Sequence, residues 1–233
     1  VKLTERQRDA LSELINIAFA RTGAALSELT GHRVLLNPPE VAVYRTEELR
    51  PALAKFVPGD VASIHQVFAG PVAGDALLIL NYAGAVQLTD LLTDGHQSSV
   101  FLDESAREVL TEVGNILLNA CLGMFGNLLN VHVTFSVPRL HLETLDELIA
   151  STTTGKTEMH YALVIYTAFQ IRDSSVKGFL VIVLSVSSLD RLIQQVDGGA
   201  AQQAKKTPKA FANSSKSTCG RRNKENKRLR RLI

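Results

Sequence analysis

Apolar side chains recur every three to four residues through two long stretches of the chain. In several shorter stretches they alternate or run together. In the first long stretch Leu11, Leu14, Ile15, Ala18, Phe19, Ala25, Leu26 and Leu29 line up as one stripe, which predicts an amphipathic helix. Thr4 can cap its start, with Gln7 three residues on as the capping-box partner, and Gly31 can stop it. A second helix is predicted to begin near Asp103 and to bury Leu110, Val113, Leu117, Cys121, Met124 and Leu128. Strands are predicted over 34–36, 41–45, 62–69, 76–81, 131–136, 160–172 and 177–185, the last two joined as a hairpin around Asp173-Ser174-Ser175. With so many hairpin-type links, the expected fold class is α+β: a mainly antiparallel sheet covered by two long helices plus shorter ones.

The two long helical stretches are related. Sliding residues 11–41 onto 110–140, a shift of 99, matches seven of 31 positions without a gap: Leu11/Leu110, Glu13/Glu112, Asn16/Asn115, Ile17/Ile116, Leu29/Leu128, Val34/Val133 and Pro39/Pro138. Later segments correspond as well. The strand from Gly74 to Leu80 runs into Leu88-Thr89-Asp90-Leu91-Leu92, and the strand from Lys177 to Leu184 runs into Leu189-Asp190-Arg191-Leu192-Ile193. Each half reads as long helix, strands, short helix. Residues 1–199 are therefore expected to form one pseudo-twofold domain with half-repeats 1–99 and 100–199. Pro39 and Pro138 follow their helices at equal distance and mark the chain turning out of a strand.

Charge divides the chain at that boundary. Residues 200–233 hold eleven Lys or Arg against one acid, Glu225, which leaves 14 bases and 22 acids in residues 1–199. The basic segment has no apolar periodicity and is rich in Ala, Gln, Ser, Asn, Lys and Arg, so it is read as a disordered, solvated tail. Its base-rich runs, Arg221-Arg222-Asn223-Lys224 and Lys227-Arg228-Leu229-Arg230-Arg231, could meet nucleic acid or an acidic membrane, but the segment lacks interleaved aromatic residues apart from Phe211, and nucleic-acid binding is not expected. A hydrophobic fraction of 45% and a charged fraction of 21% suit an ordinary folded protein. No uncharged apolar run approaches the roughly 20 residues of a membrane span. The start, VKLTERQRDALSEL, is charged at once, and no secretory signal is read there. Cys121 and Cys219 cannot build a disulfide framework or a metal knuckle and are expected as free thiols in a reducing cytoplasm.

Candidate chemistry sits on the polar faces of the two helices. With Asp9 placed at zero on a helical wheel, Glu13 falls at about 40°, Asn16 at about 340° and the apolar stripe at about 200°. Asp9, Glu13 and Asn16 thus share the face opposite the core. Glu108, Glu112 and Asn115 take the same three positions on the second helix, and Asn119 joins them. A solvated face does not fix side-chain identity, and Asn in a helix costs on the order of a few tenths of a kcal/mol relative to Gln. Its recurrence three residues after a Glu in both copies points to function. An amide both donates and accepts hydrogen bonds, so it can hold and aim a water without titrating. A Glu can pair with a cation or act as a base. Apart from Asp9 and Glu108 one turn back, neither group has the His, Cys or second acid that a nucleophile system or metal cage needs. Each looks like half of a site that another molecule completes.

These residues carry a resemblance. Asp9-x3-Glu13-x2-Asn16-x22-Pro39 is similar to the signature of the CheC/CheX/FliY phosphatases of chemotaxis, and Glu112-x2-Asn115-x22-Pro138 repeats it, with Glu108 where the pattern prefers Asp or Ser. Two copies without a further domain resemble the CheC type within that family. The resemblance covers about residues 4–198. It implies a hydrolase acting on the aspartyl phosphate of a CheY-type response regulator. Asn16 and Asn115 would orient the attacking water, and Glu13 and Glu112 would pair with a Lys of the regulator, with Asp9, Glu108, Pro39 and Pro138 in support. It implies no cofactor of the chain's own, because the regulator brings Mg²⁺ with its phosphoaspartate. It also makes the receptor deamidase CheD a second possible partner, so a non-catalytic adaptor for a regulator or CheD stands as the alternative.

Other signals are weaker. Gly155-Lys156-Thr157 resembles the end of a phosphate-binding loop, but the required earlier glycine is Ala150. The six His residues show no HxxxH or HExxH spacing. Cys121 lies on the apolar face of its helix and is read as core.

Overall fold

The computed structural model describes residues 2–57, 59–93, 101–153, 160–171 and 173–206. The first long helix, α1 (Glu5–Thr30), is fixed at its start by the expected capping box. The Gln7 amide N–H donates to Thr4 Oγ1 at 3.3 Å, and Gln7 Oε1 accepts from the Thr4 amide at 2.9 Å. Gly31 ends it with φ 71°, a left-handed conformation that glycine adopts without steric cost. β1 (Val34–Leu36), β2 (Glu40–Arg45), α2 (Thr46–Ala54), β3 (Asp60–Ala69), β4 (Gly74–Asn81) and α3 (Tyr82–Leu92) complete the first half.

The second half repeats this order. α4 (Glu104–Leu129) has the same 26-residue length as α1 and is capped by Asp103. β5 (Thr134–Phe135), β6 (Arg139–Thr144), α5 (Leu145–Thr153), β7 (His160–Ile171), β8 (Ser174–Ser185) and α6 (Val186–Lys206) follow.

The eight strands form one antiparallel sheet with the order β1-β7-β8-β4-β3-β5, β2 also pairing with β7 and β6 with β3. The halves are thus interwoven. β1 and β2 of the first half lie on β7 of the second, while β5 and β6 of the second lie on β3 of the first. β4 and β8 meet antiparallel in the middle, as a twofold axis through the sheet requires.

Pro39 and Pro138 occupy matching breaks. β1 and β5 each stop, the ladder slips by one residue, and β2 and β6 resume on the same long partner. Leu36 faces Phe169 but Glu40 faces Tyr166, and Phe135 faces Phe68 but Arg139 faces His65. A residue without an N–H suits a position where the ladder is interrupted.

Helices cover both faces. Alternate strand residues such as Ala76, Leu78 and Leu80 face the main core with α1, α3, α4 and α6, while Leu77 and Ile79 face a smaller core under α2 and α5. β4 and β8 are buried on both sides, which is why they read as continuous apolar runs rather than alternating ones. Among the described residues, α4 is the one helix whose length and composition would let it cross a membrane. Here its apolar side belongs to the main core.

Several expectations need correction. Ala25 and Leu29 are exposed, and Thr22 and Gly23 hold the buried positions instead. The cause lies at Gly23, where a Cβ would sit 2.9 Å from the Val34 carbonyl, so the end of α1 rests on β1 through its backbone. Met124 and Leu128 are half-buried rather than buried. The strand expected over 131–136 shrinks to Thr134–Phe135, β6 was not foreseen, and neither were α2 and α5. The last hairpin turns more tightly, with Ser174 and Ser175 already inside β8. Residues 200–206, expected in the tail, continue α6, in keeping with the helix-forming Ala, Gln and Lys found there. Residues 207–233, with Cys219, and the Gly155-Lys156-Thr157 segment lie outside the described residues.

Candidate functional site

α1 presents Asp9, Glu13 and Asn16 to solvent, all three exposed. They stand at i, i+4 and i+7, so one rigid helix face carries them, held down by the buried Leu11, Ile15, Ala18 and Phe19 on the opposite side. Among the described residues Asn16 makes no side-chain hydrogen bond, so its donors and acceptor are open to a visitor. Ile17, beside it, is 48% exposed.

On α4, Glu108 and Glu112 are exposed in the same way, and Asn115 is half-buried. Here the surroundings differ. Asn119, one turn further along α4, donates through Nδ2 to Asn115 Oδ1 at 2.7 Å. Gln66 of β3 donates through Nε2 to Asn119 Oδ1 at 3.1 Å and to the Ser136 carbonyl at 2.9 Å. Gln66 is 1% exposed. α4 can come this close to β3 because residue 114 is glycine: a Cβ there would lie 2.5 Å from Ile64 Cγ2.

Glu13 with Asn16 and Glu112 with Asn115 therefore form two separate carboxylate–amide pairs, each on its own helix. Pro39, buried, and Pro138, half-buried, are away from those faces in the chain, in the strand breaks described above. They shape the sheet that carries the helices. Gln66 is the residue that sequence reasoning missed. Its signal was present: Ala62, Ile64 and Phe68 alternate on the core-facing side of β3, and Gln66 interrupts that apolar set.

Among the described residues, neither pair has a buried basic or nucleophilic side chain as a hydrogen-bond partner. Among the described residues no group of three or more His, Cys, Asp or Glu could hold a metal ion. Of the histidines, His65 places Nε2 3.0 Å from Asp75 Oδ1 on the opposite sheet face from α4. Cys121 is fully buried in the main core, and that burial pushes its thiol up to about 12. What the two pairs offer chemically is hydrogen bonding and one negative charge each, presented on a fixed surface.

No family model matches the chain. The flagellar motor switch phosphatase FliY of Bacillus subtilis is 25% identical over 147 residues, which is 62% of this chain and 38% of FliY. The chain thus spans less than half the length of that curated relative. Among solved structures, Thermotoga maritima FliY superposes with a TM-score of 0.68 at 18% identity, covering 84% of this chain and 98% of that one. The FliM middle domain from H. pylori gives a TM-score of 0.55 at 12% identity, covering 83% and 99%. At such identities the two structures speak for the fold. The doubled Glu–Asn pattern, the curated relative and the shared fold make this chain similar to the CheC/CheX/FliY proteins.

Proposed function

We propose that the chain is a phosphatase that hydrolyses the aspartyl phosphate of a CheY-type response regulator, using Glu13 with Asn16 and Glu112 with Asn115. The observation that carries this reading is the placement of a carboxylate and an amide, three residues apart, on each of two matched helices, both exposed on α1 and with the carboxylate exposed and the amide half-buried on α4. The name of the FliY relative supports the activity class.

Phosphoryl transfer to water requires positioning and charge stabilisation more than covalent help. An Asn amide supplies the positioning: it accepts from the water and donates to a neighbouring oxygen, and it keeps that capacity at any pH near neutrality. The Glu one turn back draws in a Lys of the regulator and so sets the amide against the phosphorus. Mg²⁺ comes with the regulator as part of the substrate. An adaptor role, holding a regulator or CheD without hydrolysis, is favoured by one feature, the exposed Ile17 beside Asn16, which would suit docking whether or not a reaction follows.

The test is the decay of a phosphorylated receiver domain with and without the protein. Hydrolysis predicts acceleration, partial loss in Asn16→Ala and in Asn115→Ala, and loss on the order of a hundredfold in the double variant, as for removal of a transition-state hydrogen-bonding group. Absence of acceleration by the unsubstituted protein would leave the adaptor.

A further inference from the structure

The two halves of the sheet provide an internal comparison. At each strand break a core-facing residue of the long strand donates to the carbonyl left out of the ladder. In one half Thr167 Oγ1 donates to the Asn37 carbonyl at 3.1 Å, and in the other Gln66 Nε2 donates to the Ser136 carbonyl at 2.9 Å. Asn37 and Ser136 are equivalent by the repeat shift of 99, and Thr167 and Gln66 are both 1% exposed. A threonine has one donor, and the carbonyl consumes it. It leaves nothing over, and α1 carries Ala20 where α4 carries Asn119.

Gln66 does more than its counterpart. Its second N–H reaches Asn119, and its Oε1 is left buried without a partner among the described residues. Burying an unpartnered carbonyl oxygen is unfavourable, and serving the Ser136 carbonyl alone does not call for it, since a threonine manages the same task across the sheet. The extra reach has one evident product, a chain of donors running outward from Gln66 to Asn119 to Asn115. Each link fixes the next. Gln66 can only donate through its nitrogen, so Asn119 must turn its oxygen inward and its nitrogen toward Asn115. Asn115 must then turn its oxygen to Asn119. One lone pair of Asn115 Oδ1 and both Nδ2 hydrogens remain for a visitor, in one orientation instead of two.

We propose that Gln66 and Asn119 are positioning residues that lock the Asn115 amide in a single orientation, an arrangement the Asn16 site lacks. The catalytic consequence rests on the phosphatase reading above, and the side-chain consequence does not.

The experiment uses the full chain carrying Asn16→Ala, so that the α4 site is read alone, with a phosphorylated receiver domain as substrate. Asn119→Ala and Gln66→Thr, the latter copying the short donor of the other half, are each expected to lower kcat about tenfold while KM stays within about twofold. Thr167→Val, which removes the equivalent carbonyl hydrogen bond far from Asn115 in the network, is expected to lower stability without that fall in kcat. Unchanged kcat in the first two variants, or an equal fall in Thr167→Val, would overturn the proposal. If the unsubstituted protein accelerates nothing, the phosphatase reading fails and NMR of the Asn115 side-chain amide decides the lock. Greater mobility in Asn119→Ala and Gln66→Thr supports it, and unchanged mobility refutes it.

Discussion

Two glycines of α4 allow the packing of this helix to be tested with the same substitution made twice. At Gly114 a Cβ would meet Ile64 Cγ2 at 2.5 Å, Ile64 Cβ at 2.8 Å and Ile64 Cγ1 at 3.0 Å. Ile64 is fully buried on β3, a strand paired on both sides, and has no room to withdraw. Ordinary carbon–carbon contact is about 3.5–4.0 Å, so Gly114→Ala forces α4 outward by about 1 Å. Overpacking of this kind costs about 1–3 kcal/mol, and the better helix propensity of alanine returns up to about 1 kcal/mol. The net expectation is a destabilisation of about 1–2 kcal/mol. At Gly123 a Cβ would meet nothing within 4 Å, so Gly123→Ala keeps only the propensity gain of about 0.5–1 kcal/mol. Urea unfolding followed by circular dichroism resolves both. With a slope of about 2 kcal/mol per molar urea, the midpoint should fall by about 0.5–1 M for Gly114→Ala and rise by about 0.3–0.5 M for Gly123→Ala. If both variants shift upward together, α4 does not rest on β3 as described, and the link from Gln66 to Asn115 loses its foundation.

Two further outcomes are expected. With Cys219 replaced by Ser, the native protein should leave Cys121 unreacted with a thiol reagent at about pH 8, where a free thiol with a pKa of about 8.5 reacts readily; denaturant should expose it, and rapid native-state labelling would contradict its burial and its thiol pKa of about 12. Residues 1–99 and 100–199 made as separate chains should not unfold cooperatively as monomers, because β1 and β2 lack β7 in one and β5 and β6 lack β3 in the other; mixing them should restore the native circular dichroism, and a cooperatively folded monomeric half would refute the interwoven sheet.

The long helices and the exposed positions of Asp9, Glu13, Asn16, Glu108 and Glu112 were legible because their causes are local, whereas Asn115 and Asn119, expected on the same outward face, are half-buried because Gln66 of β3 draws Asn119 inward. A capping box at Thr4, a cap at Asp103 and a stripe of period 3.6 are written within one stretch of chain. α2 and α5 are nine residues each, and α2 carries Pro51 in its interior, so neither offers a long periodic stripe. β6 has only Leu140 and Leu142 to mark alternation. The exchange of strands between halves could not be read at all, since β1 and β7 are some 130 positions apart and pairing over such distances leaves no trace in local pattern. Gln66 illustrates the same limit: its place among apolar neighbours was visible, but its two partners come from α4 and from the loop after β5.

The interweaving also bears on why the two sites can differ within so symmetric a frame. Each long strand serves the opposite half, so the residue that ties down the strand break beside one helix is free to change without its counterpart. Thr167 secures the break near β1 and Gln66 the break near β5. The one-donor and the two-donor side chain leave the ladder alike, because the Asn37 and Ser136 amides donate to Ala168 and Val67 at 3.0 and 2.9 Å. The two side chains differ in what they offer to the helix above, and over β3 Gly114 lets α4 come within reach. An Asn one turn past Asn115 then completes the chain of donors. The correspondence at a shift of 99 sets one carboxylate–amide pair on each long helix. The difference between them comes from one strand residue, one helix residue and one missing methyl group, all on the side of the sheet that faces α4.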